Sequence, residues 1–476
     1  MVSKFYTEGL LVIIIVFFLW SCNPTPEISA SNHSTDQFDL KKISVPVTPM
    51  LGLAFPSKYT EYYHYISDAG IGTVRLGVSW KYIQPQLNGI QWKNLDKRIA
   101  SLQENGMDIL LTLYSDAPWA VMKETTNVAN AVPLKYQHWY NFVKMVVERY
   151  DGDGRNDMPG LKKAVIHYQV ANEWISPDNK SGGWAGTTSW LIEYINVAYK
   201  AVHAASDKAQ LILGGIAAFN LDVMLVASER KEFIVRQRWS ESSETLFTVD
   251  DSRSDQVQSV IKQRVLPVIK KAHFDILDAH LYGPLERDYD RLQLLRDLTL
   301  QEKSSVKPIL STECGGPSLD YLSSYTPEDH FNEVIMRNLG VLAGGGQFCL
   351  WFGLGEEITT TWGNRRVPLF DMNRKPKPGY WAYKWLAWLI NGSAHVTSPK
   401  QELFVITKEP GQNILVSNSL SIKELADLAG GYPVDVSCIT DPVLGIGKLW
   451  RECKTSLICG SDAWRAVSKR LPAVTH

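Results

Sequence analysis

The sequence predicts an α/β fold in which eight parallel strands, each followed by a helix, close into a barrel that carries a small β-rich module at its C-terminal end. Three observations predict it. Between Met50 and Ile390 eight short apolar runs alternate with longer stretches of helical period. Strands regularly followed by helices imply a parallel sheet, and eight such units in roughly 340 residues suit a (β/α)8 TIM barrel with insertions. No G-x-G-x-x-G turn follows the first run, where Phe55-Pro56-Ser57-Lys58 stands instead, which argues against an open doubly wound sheet.

In chain order, Lys4 precedes an apolar run from Leu10 to Trp20, and Ser21-Cys22 follows. Eleven residues at about 1.5 Å each reach about 16 Å, half of a bilayer core, so residues 1–22 read as a signal peptide rather than a membrane span. The segment resembles a bacterial lipoprotein signal, which implies cleavage, a lipid on Cys22 and anchoring at the cell envelope. Residues 23–47, rich in Ser, Thr, Pro and Asn, read as a flexible tether.

The barrel is expected over 48–395. Its strand candidates are 50–55, 73–77, 108–113, 164–170, 210–214, 274–279, 308–311 and 346–351, with helices at 93–105, 134–150, 188–206 and 327–342. The polar stretch 217–264 reads as an elaborated loop after the fifth strand. From 396 to 476 the helical period fades and runs such as Leu403-Phe404-Val405-Ile406 suggest the β-rich module. Five cysteines follow Cys22; a disulfide among Cys438, Cys453 and Cys459 suits an exported chain, and the spacing leaves the pair open.

Of the 476 residues, 45% are hydrophobic and 21% charged, with 49 basic against 50 acidic side chains. Disorder and basic nucleic-acid binding are thereby excluded, and a core of this size needs no cysteine staples. Sixteen Trp and 20 Tyr exceed what a core requires and hint at a ligand with flat faces.

In such a barrel the side chains at the C-terminal ends of the strands converge on one mouth. The fourth strand runs into Ala171-Asn172-Glu173-Trp174 and the seventh into Thr312-Glu313-Cys314-Gly315. Two carboxylates from distant parts of the chain therefore meet in one cavity. Cleavage of a glycosidic bond needs that pair, one carboxylic acid to protonate the leaving oxygen and one carboxylate to act at the anomeric carbon. Arg75 ends the second strand, His280 and Tyr282 follow the sixth, and Trp351 closes the eighth. Trp80, Trp119, Trp174 and Trp184 lie in loops at the same end, as sugar platforms or as packing. Asp151-Gly152-Asp153-Gly154-Arg155-Asn156-Asp157 is either the start of a calcium loop, lacking its closing Glu, or an acidic turn.

Asn-Glu after the fourth strand, Glu after the seventh and an aromatic ending the eighth resemble the large clan of retaining glycoside hydrolases on (β/α)8 barrels, families 5 and 39 being nearest. The resemblance spans residues 50–390. It implies that Glu173 is the general acid/base, Glu313 the nucleophile, Asn172 a ligand of the sugar 2-hydroxyl, Arg75 and Tyr282 supports that keep Glu313 ionised, His280 a further support and Trp351 the floor under the sugar. It implies a poly- or oligosaccharide substrate, no cofactor, no metal and a monomer. A barrel that binds carbohydrate without cleaving it is the alternative. A hydrolase built on Cys314 or Ser311 lacks an assignable base.

Overall fold

The computed structural model describes residues 36–476 except 181, 241–242, 316–324, 356–366, 391–393, 401, 409–411, 430–433, 451–463 and 471–476. The signal peptide, Cys22, Cys453 and Cys459 lie outside the described residues. Eight parallel strands close into a barrel in chain order: Thr48–Ala54, Ile71–Ser79, Asp108–Tyr114, His167–Val170, Gln210–Ile216, Ile276–Tyr282, Ile309–Gly315 and Cys349–Phe352. Both faces of each strand are covered, one by the lumen and one by helices. This is why the strands read as continuous apolar runs rather than as alternating ones.

Alternation is present all the same, and it places the polar side chains. Leu110, Ile212, Ile276, Leu310, Phe348 and Leu350 form one apolar cluster, while Leu111, Leu113, Leu277, Ala279 and Ile309 belong to the large cluster shared with the helices. Successive side chains point to opposite faces, so two residues beyond Leu110, Ile276 and Leu310 the lumen receives Thr112, Asp278 and Thr312. The lumen thus changes from apolar to polar on the way to the C-terminal mouth. In the seventh strand the register shifts between Leu310 and Glu313. Such an irregularity allows Thr312 and its neighbour Glu313 both to reach inside.

The expected helices appear as Lys93–Glu104, Tyr136–Tyr150, Thr188–Ala205 and Pro327–Ala343. Thr326 and Asp329 close a capping box on the last of these. The stretch 217–264, expected as a loop, begins instead with a buried helix, Ala218–Ala227. A hairpin of Val235–Ser240 with Ser243–Phe247 and short helical turns follow. Its charged residues masked a ten-residue helix whose buried stretch Leu221 to Ala227 is apolar but for Asp222.

The C-terminal module is a seven-stranded antiparallel sheet, and its first strand comes from the other end of the chain. Asp36–Asp39, expected within the tether, pairs with Ile446–Trp450, and Leu40 beside it is fully buried. A Ser- and Thr-rich composition did not prevent Phe38 and Leu40 from docking. One face of the sheet packs on the barrel helix Pro378–Ile390, where Trp385 donates to Ser437 and Phe38 meets Trp388. The other carries the short helix Ile422–Leu428, with Leu425 buried against Leu403 and Val436. Cys438 of this sheet is disulfide-bonded, whereas Cys314 and Cys349 are free and buried.

Candidate active site

Six of the seven expected site residues outside the signal segment come together at the mouth. Register sets the first contacts: Glu313 pairs with His280, Gly315 with Tyr282, and Ala54 with Arg75 across neighbouring strands. Arg75 Nη1 lies 2.5 Å from Glu313 Oε1, and Tyr282 donates its phenol to Glu313 Oε2 at 2.9 Å. The same guanidinium donates to Thr112 Oγ1 at 2.6 Å and to Asn172 Oδ1 at 2.9 Å. Arg75 therefore spans the second, third, fourth and seventh strands and fixes Asn172 relative to Glu313.

Glu173 sits on a strained turn. Ala171 and Glu173 both adopt left-handed backbone conformations, φ 61° and 49°, which cost non-glycine residues of order 1 kcal/mol or more. The surroundings hold them there: Glu173 N–H donates to Gly215 O at 3.0 Å, and Asn172 O accepts from Gly183 N–H and from the Asn130 amide, each at 2.9 Å. The turn lifts the Glu173 carboxylate to the mouth, where it accepts from His280 Nδ1 at 2.8 Å and from the Asn179 amide. An oxygen of each carboxylate and a ring nitrogen of His280 lie within 4.8 Å of one another. Glu173 keeps 17% of its side chain exposed and Glu313 8%, so solvent reaches the first more readily.

Burial alone would push the Glu313 carboxyl up; the positive charges of His280 and Arg75 and the Tyr282 hydrogen bond outweigh it and hold the group below the usual carboxylate range. Burial would likewise strip His280 of its proton. Glu313, Asp278 and Glu173 reverse that and push it up to about 10. At neutral pH the centre thus holds an imidazolium and a guanidinium around an ionised Glu313.

Four further residues were not foreseen in the sequence. Asp278, fully buried, accepts from Thr312 N–H at 2.8 Å, from Thr312 Oγ1 at 2.6 Å and from the Gln169 amide at 2.6 Å, and stands 3.6 Å from His280 Nε2. Gln169 in turn accepts from Thr112. The signal available was a polar residue inside an otherwise apolar strand run, which marks it as unusual without saying which face it takes. Behind the mouth, Arg291 and Arg337 donate to the carbonyl oxygens of Tyr282 and Gly283 at 2.8 and 2.5 Å. Their own carboxylate partners, Asp222, Asp288 and Glu333, are buried with them. That network anchors the loop bearing the phenol that grips Glu313.

Trp351 does not take the expected place. It shares the parity of Cys349, packs on the helix side against His330, donates to Val367 O at 2.7 Å and is fully buried. Its neighbour Phe352 faces the mouth instead, edge-on to Tyr282 and Phe55 at ring separations of 6.0 and 4.9 Å. Trp80, Trp174 and Trp184 are fully buried packing residues, and Trp119 is half-buried. In the Asp151 loop, Asp157 accepts from Gly152 and Gly154 N–H at 3.0 and 2.7 Å, and Asp153 from Arg155 N–H at 2.7 Å. These carboxylates cap their own turn.

A carboxylate held ionised, with a second one nearby in contact with solvent, can supply a nucleophile and an acid/base to one bond. The family model described as cellulase, glycosyl hydrolase family 5, matches residues 32–338. No curated protein matches the chain. Similar solved structures include a glucosidase from Croceicoccus marinus (11% identity over 90% of this chain and 97% of that one, TM-score 0.58). Others are a family 39 β-xylosidase from Caulobacter crescentus (13%, 91% and 99%, 0.53) and a family 30 subfamily 8 xylanase from Clostridium acetobutylicum (12%, 92% and 96%, 0.51). At these identities the likeness is one of fold.

Proposed function

The chain belongs to glycosyl hydrolase family 5, and from that premise we propose that it cleaves O-glycosidic bonds of a poly- or oligosaccharide with retention of configuration. Glu313 attacks the anomeric carbon while Glu173 protonates the departing oxygen. Glu173, then a base, takes a proton from water as that water attacks the glycosyl ester and frees Glu313. The observation that carries this reading is the closeness of the two carboxylates, oxygen to oxygen within 4.8 Å. Retaining pairs have carboxyl groups about 5–5.5 Å apart and inverting pairs about 6.5–9.5 Å apart to admit a water between them; oxygens this near one another favour the shorter class.

Electrostatics supports the assignment of the nucleophile. Glu313 is surrounded by groups that favour its anion, as a nucleophile requires, while Glu173 is the more exposed of the two and accepts from His280 and Asn179. Having given up its proton in the first step, Glu173 is the base for the second. Asn172, oriented by Arg75, is the ligand for the sugar 2-hydroxyl. Export through residues 1–22 and a lipid on Cys22, which would place the enzyme at a bacterial cell envelope, belong to the same proposal and rest on the sequence. In the Glu313→Gln variant, hydrolysis of 4-nitrophenyl glycosides falls at least about a thousandfold while circular dichroism shows the folded state retained. Undiminished hydrolysis would reject the assignment.

A further inference from the structure

The acidic turn Asp151-Gly152-Asp153-Gly154-Arg155-Asn156-Asp157 leads from the helix Tyr136–Tyr150 towards the fourth strand, His167–Val170, at the end of the barrel away from the mouth. One oxygen of each of its three aspartates lies within 4.8 Å of the other two. Among the described residues no Lys, Arg or His forms an ion pair with any of them, and Arg149 and Lys163, which flank the turn, are engaged by Asp96 and Asp108. Three like charges stand together with no full positive charge in ion-pair reach. The backbone N–H groups of the turn orient these carboxylates without using them up. Asp157 accepts with both oxygens, but Asp153 only with Oδ1, and Asp151 only with Oδ1, from Asp153 N–H at 3.4 Å.

A second feature lies outside the turn. Tyr168, on the fourth strand, is fully buried, and its hydroxyl has no hydrogen-bond partner among the described residues. Its ring belongs to the apolar cluster between strand and helix that also holds Tyr150, the residue before Asp151. The charges that act on the hydroxyl are those of Asp151 and Asp157. They do so without coming within hydrogen-bond distance, so a bridging group is wanted between the phenol and the carboxylates. Asp151, the carboxylate nearest in sequence to the cluster, is itself only 7% exposed.

Donor chemistry selects the occupant. The converging groups are all carboxylates, with no His or Cys among them, which suits a hard cation. Calcium binds oxygen at about 2.3–2.6 Å, so two oxygens on one ion stand at most about 5.2 Å apart, and three oxygens within 4.8 Å of one another meet that limit. Magnesium keeps several of its waters and is usually held through one or two carboxylates. The closing Glu of longer calcium loops is absent, with Lys162 in its place, so water completes the shell and the affinity is modest. The turn is tied to the helix end, since Met158 N–H donates to Arg149 O and Val165 N–H to Tyr150 O, each at 2.8 Å. An ion there fastens the foot of the strand whose far end bears Asn172 and Glu173.

We propose that Asp151, Asp153 and Asp157 form a calcium site at the foot of the fourth strand, where one ion takes an oxygen from each carboxylate and a water on the ion donates to the Tyr168 hydroxyl. The site holds the barrel rather than acting on substrate, and it stands independently of the glycosidase reading. It is tested by calorimetric titration of the EDTA-stripped protein with calcium chloride, and by thermal melts with and without calcium, on the wild type, Asp151→Asn and Asp153→Ala. Asp151→Asn keeps the size of the side chain and its acceptor for the Asp153 N–H, and Asp153 is exposed, so folding is spared. The wild type binds a single calcium ion with Kd below about 1 mM, and about 10 mM calcium raises its Tm by at least about 1 °C. Each substitution weakens binding at least about tenfold and removes most of the rise in Tm. No binding by the wild type up to about 10 mM calcium, or binding that either substitution leaves undiminished, overturns the site.

Discussion

Glu313 would be a neutral acid at moderately low pH were burial the only influence on it, and a neutral acid is no nucleophile. Three neighbours reverse the balance: His280 and Arg75 by charge, Tyr282 by donating a hydrogen bond at 2.9 Å. The sign of a test follows. Activity falls as pH drops through the nucleophile's pKa. Tyr282→Phe removes a donor that favours the anion, so that pKa rises and the acidic limb of the kcat/KM profile moves to higher pH. An unmoved limb with kcat merely scaled would reduce Tyr282 to packing. Asn172, Glu173, Tyr282 and Glu313 were legible in the sequence because each stands at or just past the end of an apolar run, the position that the barrel turns into a mouth; Arg75 and His280, expected at or after strand ends, lie instead inside Ile71–Ser79 and Ile276–Tyr282, where their parity brings them to the lumen. Asp278, Gln169 and Thr312 were not, because a polar residue inside a run gives no sign of which face it takes until the register is known.

At the scale of the element, one residue of parity decided the fate of the eighth strand. An aromatic was expected at its end, and two stand there in succession; Phe348 and Leu350 fill the lumen, so Phe352 follows them inward and Trp351 goes to the helices. The chain from 217 to 264 escaped notice as a helix for a different reason: its charged tail outweighed the apolar run of the helix Ala218–Ala227 in composition. Between the helices Asp288–Lys303 and Pro327–Ala343, Arg337 holds Asp288 and Glu333, each at 2.7 Å, and the Gly283 carbonyl. All three side chains are at least nine-tenths buried. Arg337→Ala leaves the buried Glu333 without its cation and Asp288 with Arg291 alone, and urea unfolding should show a loss of about 3–5 kcal/mol, with kcat lowered as the loop bearing Tyr282 loosens. A loss below about 1 kcal/mol would mean that water or rearrangement replaces the arginine readily.

For the molecule as a whole, the barrel was legible almost strand by strand, because a parallel sheet buried on both faces writes itself as apolar runs. The joint with the C-terminal sheet was not. It depends on pairing the strand Asp36–Asp39 with Ile446–Trp450, some four hundred residues away, and on the face of Pro378–Ile390 that buries Trp381 and Trp385. Core residues of the sheet such as Ile406, Val416 and Ile439 belong to the same apolar cluster as the barrel's. A single calorimetric transition is therefore expected, and a chain ended at Ile390 should fail to give a soluble folded barrel; a stable truncated barrel would show that the sheet is dispensable. The central claim, that Glu313 forms a covalent bond to the sugar, is tested most directly by mass spectrometry of the intact protein after treatment with a 2-deoxy-2-fluoro glycosyl fluoride. The account predicts a mass gain of one fluorosugar, located by peptide mapping on Glu313. Attachment at another residue, or no adduct in a protein that turns over the corresponding glycoside, would contradict it.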